Sequence, residues 1–160
     1  MENIIEALKS GIITHSPEET ESVAYDLAQF KTTGMGMGME MGKDTTITLN
    51  GDLGVGKTTF TKGFARGLGI TKTITSPTFN LFSIYNGSAQ LVHLDAYRLS
   101  PESSAESLML DDFLTSPYCL LIEWPQNVPS LIPPSALHLR LSILESGTNP
   151  VHKIELIAGA

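Results

Sequence analysis

The sequence predicts a three-layer α/β domain built on a mixed, mainly parallel sheet with antiparallel additions at its edges. Three observations carry that prediction. A β-branched segment, Thr45–Asn50, runs without a linker into a glycine-rich turn and then into a helical pattern. A short apolar run, Cys119-Leu120-Leu121-Ile122-Glu123, reads as an inner strand buried on both faces. Two turn sequences, Asn86-Gly87 and Gly147-Thr148-Asn149-Pro150, each join a pair of strand-like runs, which adds antiparallel pairs at the edges.

Taken in order, Ile12–His15 suits a short strand. Ser16 then offers an N-cap, Pro17 suits a first helical position, and Glu19 completes a capping box. Val23, Ala24, Leu27, Ala28 and Phe30 follow at helical spacing, so a helix is expected over about 17–30. Residues at about 34–43 are rich in glycine and methionine. The backbone entropy of that many glycines predicts a flexible loop, although a thioether set of this kind also suits a soft metal. A strand over 45–50 leads to a helix over 57–68, stopped by Gly69. Residues 79–85 and 90–94 form the hairpin about Asn86-Gly87. Pro101 opens a helix expected to reach Leu114, and 118–123 is the inner strand. Pro125, Pro129, Pro133 and Pro134 mark an irregular crossing before a closing antiparallel pair, 137–144 and 151–157. A chain of 160 residues suits one such domain, 1–160.

Composition narrows the function classes. A formal net charge of −7 argues against a broad basic face that grips nucleic acid, because neutralising phosphates needs clustered lysine and arginine. Cys119 is the one cysteine, so no internal disulfide forms; its apolar neighbours predict a buried small hydrophobe. No apolar run is long enough to span a membrane, and the acidic N-terminus is unlike a signal peptide. A cytoplasmic protein without a membrane partner is expected.

The chemistry sits in Gly51-Asp52-Leu53-Gly54-Val55-Gly56-Lys57-Thr58, which fits G-x-x-x-x-G-K-[ST] at every fixed position. Glycines let successive backbone N–H groups turn toward phosphate oxygens, and the N-terminus of the following helix adds its dipole. Lys57 can reach the β- and γ-phosphates, and the Thr58 hydroxyl can join a magnesium shell. Residues 51–59 are thus expected to bind ATP or ADP with Mg²⁺. Such a site needs a carboxylate at the end of another buried strand. Leu91-Val92-His93-Leu94-Asp95 and Cys119–Glu123 each supply one, so Asp95 and Glu123 are both expected near the phosphates, one on magnesium and the other on water or a switch. Ser76-Pro77-Thr78-Phe79 places two hydroxyls around a rigid proline. Trp124 follows Glu123 directly and suits either packing or a place over the nucleotide. His93 and Arg98 flank Asp95 and, taken singly, read as structural.

Four motifs in order, GDLGVGKTTF, TSPTF, HLDAYRL and IEWP, resemble those of the TsaE (YjeE) family over about residues 16–134. The resemblance implies a magnesium-dependent bacterial ATPase of low intrinsic activity. It would support threonylcarbamoyl-adenosine formation on tRNA by driving turnover of a TsaD–TsaB transferase complex, touching tRNA only indirectly. Carried over by matching motif, Lys57 and Thr58 are the phosphate and magnesium residues and Glu123 a magnesium ligand. Asp95 is the essential aspartate, Thr78 lies in a switch-like loop, and Trp124 is the tryptophan of the E-W pair. Ser16–Thr20 matches a pattern near the base, which adds Thr20 to the nucleotide residues. The Gly/Met stretch and the lack of a Leu-Gly pair in 105–110 depart from the family pattern, away from the phosphate site.

A small-molecule P-loop kinase is the alternative. Such enzymes bring arginines over the transferring phosphoryl group from a lid, whereas this chain has Arg66, Arg98 and Arg140 and no arginine-rich segment. A GTPase would need a guanine-reading N-K-x-D sequence, and none occurs.

Overall fold

The computed structural model describes residues 3–33, 43–77, 81–102 and 109–159. The Gly/Met stretch at 34–42 and Thr78 lie outside them, as do residues 103–108.

The element order is α1 (Ile4–Ser10), β1 (Ile12–Thr14), α2 (Pro17–Thr33), β2 (Thr45–Asn50), α3 (Lys57–Gly67), β3 (Phe82–Asn86), β4 (Gln90–Asp95), β5 (Tyr118–Glu123), β6 (Leu137–Glu145) and β7 (Val151–Ala158). The strands form one sheet in the order β1-β7-β6-β2-β5-β4-β3. Its four inner strands, β6, β2, β5 and β4, run parallel. β7 and β3 flank them antiparallel, and β1 pairs antiparallel with β7. This is the α/β class with antiparallel edges expected from the sequence. Parallel inner strands put the C-terminal ends of β2, β4 and β5 along one rim, where open α/β sheets bind ligands.

One sheet face carries Ile47, Leu49, Leu91, Leu121 and Leu139, covered by α2 and α3 through the fully buried Leu27, Phe60 and Phe64. Burying each of those phenylalanines contributes about 1.5–3 kcal/mol. The two helices approach closely because α3 presents glycine to α2. A β-carbon on Gly63 would lie 2.2 Å from the Glu21 carbonyl oxygen, and one on Gly67 would lie 2.6 Å from Ala28 Cβ. The other face buries Val92, Leu94, Leu120 and Ile122 under Leu110, Val128 and the partly buried Trp124. Among the described residues this third layer is made of single 3₁₀ turns, at Leu110–Asp112, Pro125–Asn127 and Pro129–Leu131, rather than α-helix.

The N-terminus of α2 forms the expected cap with a shifted partner. Ser16 Oγ accepts from Glu19 N–H at 3.2 Å, while the Glu19 carboxylate accepts from His15 N–H at 2.7 Å. Cys119 is buried as expected, and burial pushes its thiol up to about 11.

Other expectations are corrected. Helix α1 was not foreseen: seven residues are too few for a periodic signal, although Asn3 caps Ile5 N–H at 2.9 Å and Gly11 ends it at φ +89°. The helix expected to reach Leu114 does not. Met109 takes φ +52°, which a right-handed helix cannot propagate through, and Leu110–Asp112 form one 3₁₀ turn that buries Leu110. Strand β3 starts at Phe82 rather than Phe79. Among the described residues, no helix is long and apolar enough to cross a membrane.

Candidate nucleotide site

The glycine-rich turn leaves β2 and enters α3 with Gly51, Gly54 and Gly56 at φ +152°, +77° and +103°. Gly51 is locked from behind, since a β-carbon there would lie 2.6 Å from the Leu141 carbonyl oxygen and 2.7 Å from Val55 Cγ1. Gly54 and Gly56 face open space, with nothing within 4 Å of an added β-carbon. The loop is therefore anchored on its sheet side and hollow on its outer side. Val55 is the buried pin, with its N–H donating to the Asp52 carbonyl.

A cavity of about 300 Å³ opens over this hollow. It is lined by Leu53, Gly54, Gly56, Lys57, Thr58, Thr59, Ser76, Asp95, Tyr97, Glu123 and Trp124. Pairing in register places Leu49 beside Glu123 and Glu123 beside Asp95, so both carboxylates stand at the rim next to the turn. The segments beyond them are cross-tied: Ala96 N–H donates to the Glu123 carbonyl at 3.0 Å, and Asn127 Nδ2 donates to the Ala96 carbonyl at 3.0 Å.

Lys57 is 6% exposed. Its ammonium donates to the Gly51 carbonyl at 2.5 Å and lies 4.1 Å from the centroid of the Trp124 ring. Burial lowers its pKa, while the charges of Glu123, Asp95 and Asp52 act in the opposite direction. Trp124 reaches this position because its backbone turns left-handed, at φ +57°, immediately after the strand. Tyr97 packs against its indole with ring centroids 5.1 Å apart. Thr58 Oγ1 lies 3.1 Å from Ser76 Oγ. Asp95 Oδ1 accepts from Tyr97 N–H at 3.1 Å. Glu123 is 3% exposed, and its Oε1 has no hydrogen-bond partner among the described residues.

A second cavity, of about 390 Å³, meets the first at Gly56 and Thr59. One wall is His15, Ser16, Pro17, Glu18 and Thr20 at the start of α2; the other is Thr148, Asn149, Pro150 and His152. Thr20 is buried, its hydroxyl 2.8 Å from that of Thr14.

Most residues singled out from the sequence thus converge. Lys57, Thr58, Thr59, Leu53, Gly54, Gly56, Asp95, Glu123 and Trp124 line the first cavity, and Thr20 lines the second. Gly51, Asp52 and Val55 instead line a separate hollow behind the turn, beside Arg140–Ile143, so they shape the loop from its far side. Sequence reasoning missed Tyr97, the 148–152 wall and the closeness of His93 to Glu123, because each arises from residues apart in the chain. The donor set fits a hard cation held mainly through phosphates. The carboxylates of Asp95 and Glu123 and hydroxyl side chains, Thr58 among them, line the cavity, and among the described residues no group of three or more His, Cys, Asp or Glu converges as a self-sufficient cage. No arginine lines this cavity among the described residues; Arg66 pairs with Glu21 at 2.9 Å and Arg140 with Glu155 at 3.1 Å, both outside it.

Known proteins resemble this chain in sequence and in fold. The family model described as "Threonylcarbamoyl adenosine biosynthesis protein TsaE" matches residues 14–150. The chain is 42% identical to the tRNA threonylcarbamoyladenosine biosynthesis protein TsaE of Bacillus subtilis (strain 168), over 79% of this chain and 73% of that relative. It is 34% identical to the protein of the same name from Treponema pallidum (strain Nichols), over 80% and 93%. Among solved structures it is similar to a crystal structure of Bacillus subtilis YdiB, with a TM-score of 0.64 and 32% identity, covering 91% of this chain and 82% of that one.

Proposed function

The chain belongs to the TsaE family of tRNA threonylcarbamoyladenosine biosynthesis proteins, and on that footing we propose that it is a magnesium-dependent ATPase whose hydrolysis resets a TsaD–TsaB-like transferase complex between turnovers. The observation that carries this reading is the convergence of Lys57, Thr58, Asp95 and Glu123 on one cavity above an open glycine turn.

In this reading the backbone N–H groups of the turn and the N-terminus of α3 hold the phosphates. Lys57 leaves the Gly51 carbonyl and the Trp124 ring to meet the β- and γ-phosphate oxygens. Thr58 and Glu123 hold the magnesium ion, which when bound neutralises charge on the terminal phosphates. Asp95, more exposed and beside the same space, orients the attacking water or responds to a partner. Thr78 belongs to a switch segment that follows Ser76, itself 3.1 Å from Thr58. The nucleoside occupies the second cavity against Thr20 and the start of α2. The protein works in the cytoplasm and meets tRNA only through its partners, in keeping with its net charge of −7.

A cavity lined by no arginine among the described residues supports low activity of the isolated chain, because little there stabilises charge on the transferring phosphoryl group until a partner completes or orders the site. Phosphate release from ATP, measured alone and with TsaD and TsaB added, tests the reading. Stimulation without any small-molecule acceptor is expected. Robust phosphorylation of a small metabolite by the isolated chain would overturn it in favour of a kinase.

A further inference from the structure

His93 and Glu123 present an unresolved feature of the core. His93 is fully buried, and neither ring nitrogen has a hydrogen-bond partner among the described residues. The Glu123 carboxylate stands close by, its Oε1 3.6 Å from His93 Nε2 and also without a hydrogen-bond partner among the described residues. Buried polar groups left in this state are costly, and a fold keeps them where another requirement holds them. The strand register explains why they meet. His93 on β4 stands opposite Leu121 on β5, and Glu123 is the diagonal neighbour two residues on, on the same helix-facing side. His93 is therefore the layer directly beneath the carboxylate at the rim of the cavity.

We propose that His93 is a positioning residue for Glu123. In the Nε2–H tautomer its ring donates to Oε1, fixing the carboxylate so that its other oxygen serves the cavity. This rests on the reading of Glu123 as a ligand of the nucleotide-bound magnesium. Ligating carboxylates are themselves hydrogen-bonded in metal sites, and such outer partners set ligand orientation. The tautomer follows from the geometry. With the proton on Nδ1, the Nε2 lone pair would face a carboxylate oxygen, and a buried N–H would point where no acceptor stands. With the proton on Nε2, one gap of less than an ångström closes, two of the three unmet groups are satisfied, and only an acceptor lone pair is left over.

Two measurements test the proposal. Long-range ¹H–¹⁵N spectra of the nucleotide-free protein, with the His93 signals assigned by their loss in His93→Gln, should show the Nε2–H tautomer; the Nδ1–H tautomer would overturn it. Calorimetry of ADP binding with and without Mg²⁺ supplies the second. His93→Leu has no donor, and His93→Asn holds its amide at the Nδ1 position. Each should weaken the magnesium-dependent affinity about tenfold and leave metal-free affinity within about twofold. His93→Gln, whose amide nitrogen reaches the Nε2 position, should restore most of the loss. Gln as damaging as Asn would mean a packing role, and Asn and Leu without effect would remove His93 from the site. If wild-type ADP affinity does not respond to magnesium at all, the metal role of Glu123 fails and the positioning role falls with it. The tautomer, read without nucleotide, then tells whether the His93–Glu123 hydrogen bond exists on its own. The spectra need no variant stability beyond the Gln assignment, so misfolding of Leu or Asn does not blunt the test.

Discussion

Asp95 and Glu123 are register partners across β4 and β5, yet they live in opposite surroundings. Asp95 is partly exposed and spends one oxygen on the Tyr97 N–H, a local turn that any aspartate after a strand can make. Glu123 is buried near a buried lysine, and its Oε1 has no hydrogen-bond partner among the described residues, with His93 Nε2 3.6 Å away. A buried carboxylate is held at a cost, and a nearby ammonium offsets only part of it. The difference separates two jobs that the sequence left joined. Under the proposed function, the buried carboxylate is the one suited to a fixed cation, and the partly exposed one is the one suited to water or to another protein.

Three substitutions probe that division. Removing the cation that both carboxylates share should have the largest effect. Lys57→Ala loses a charge-assisted contact to the phosphates worth about 1.5–3 kcal/mol, a fall in ATP affinity of roughly ten- to a hundredfold or more by calorimetry. Unchanged affinity in a folded Lys57→Ala protein would remove the turn from nucleotide binding.

Glu123→Gln is next. It keeps the shape of the buried side chain and removes its charge, so ADP affinity should fall about tenfold with Mg²⁺ present and stay within about twofold without it. Equal losses in the two conditions would make Glu123 structural and erase the distinction from Asp95.

The smallest effect on binding belongs to Asp95→Asn. The amide oxygen still accepts from Tyr97 N–H, so the turn survives, and ATP affinity should stay within about threefold. Partner-stimulated phosphate release should nonetheless drop about a hundredfold if the carboxylate orients water. Turnover close to wild type would take Asp95 out of the chemistry while leaving binding untouched.

Much of this was legible from residues alone. Strand β2 ends at Asn50 as its β-branched pattern requires, and the turn from Gly51 to Thr58 needs φ values that glycine supplies at the matching positions. Ser16, Pro17 and Glu19 start α2 because capping is decided within a few residues. Where the chain had only short signals, the reading failed. Helix α1 is too brief to show a period, and the helix expected from Pro101 to Leu114 cannot run through the left-handed Met109, which composition did not announce.

What the sequence determined by itself was the loop, its lysine and its threonine, together with two strand-ending carboxylates, because each is written in contiguous residues whose backbone preferences are local. The tertiary structure decided the rest. Strand order placed β5 between β2 and β4 and so brought Glu123 beside both the turn and Asp95. Register set His93 beneath Glu123, and a left-handed turn laid Trp124 over Lys57. Burial, and with it the different character of the two carboxylates, depends on which strands become neighbours, and no stretch of residues encodes that choice alone.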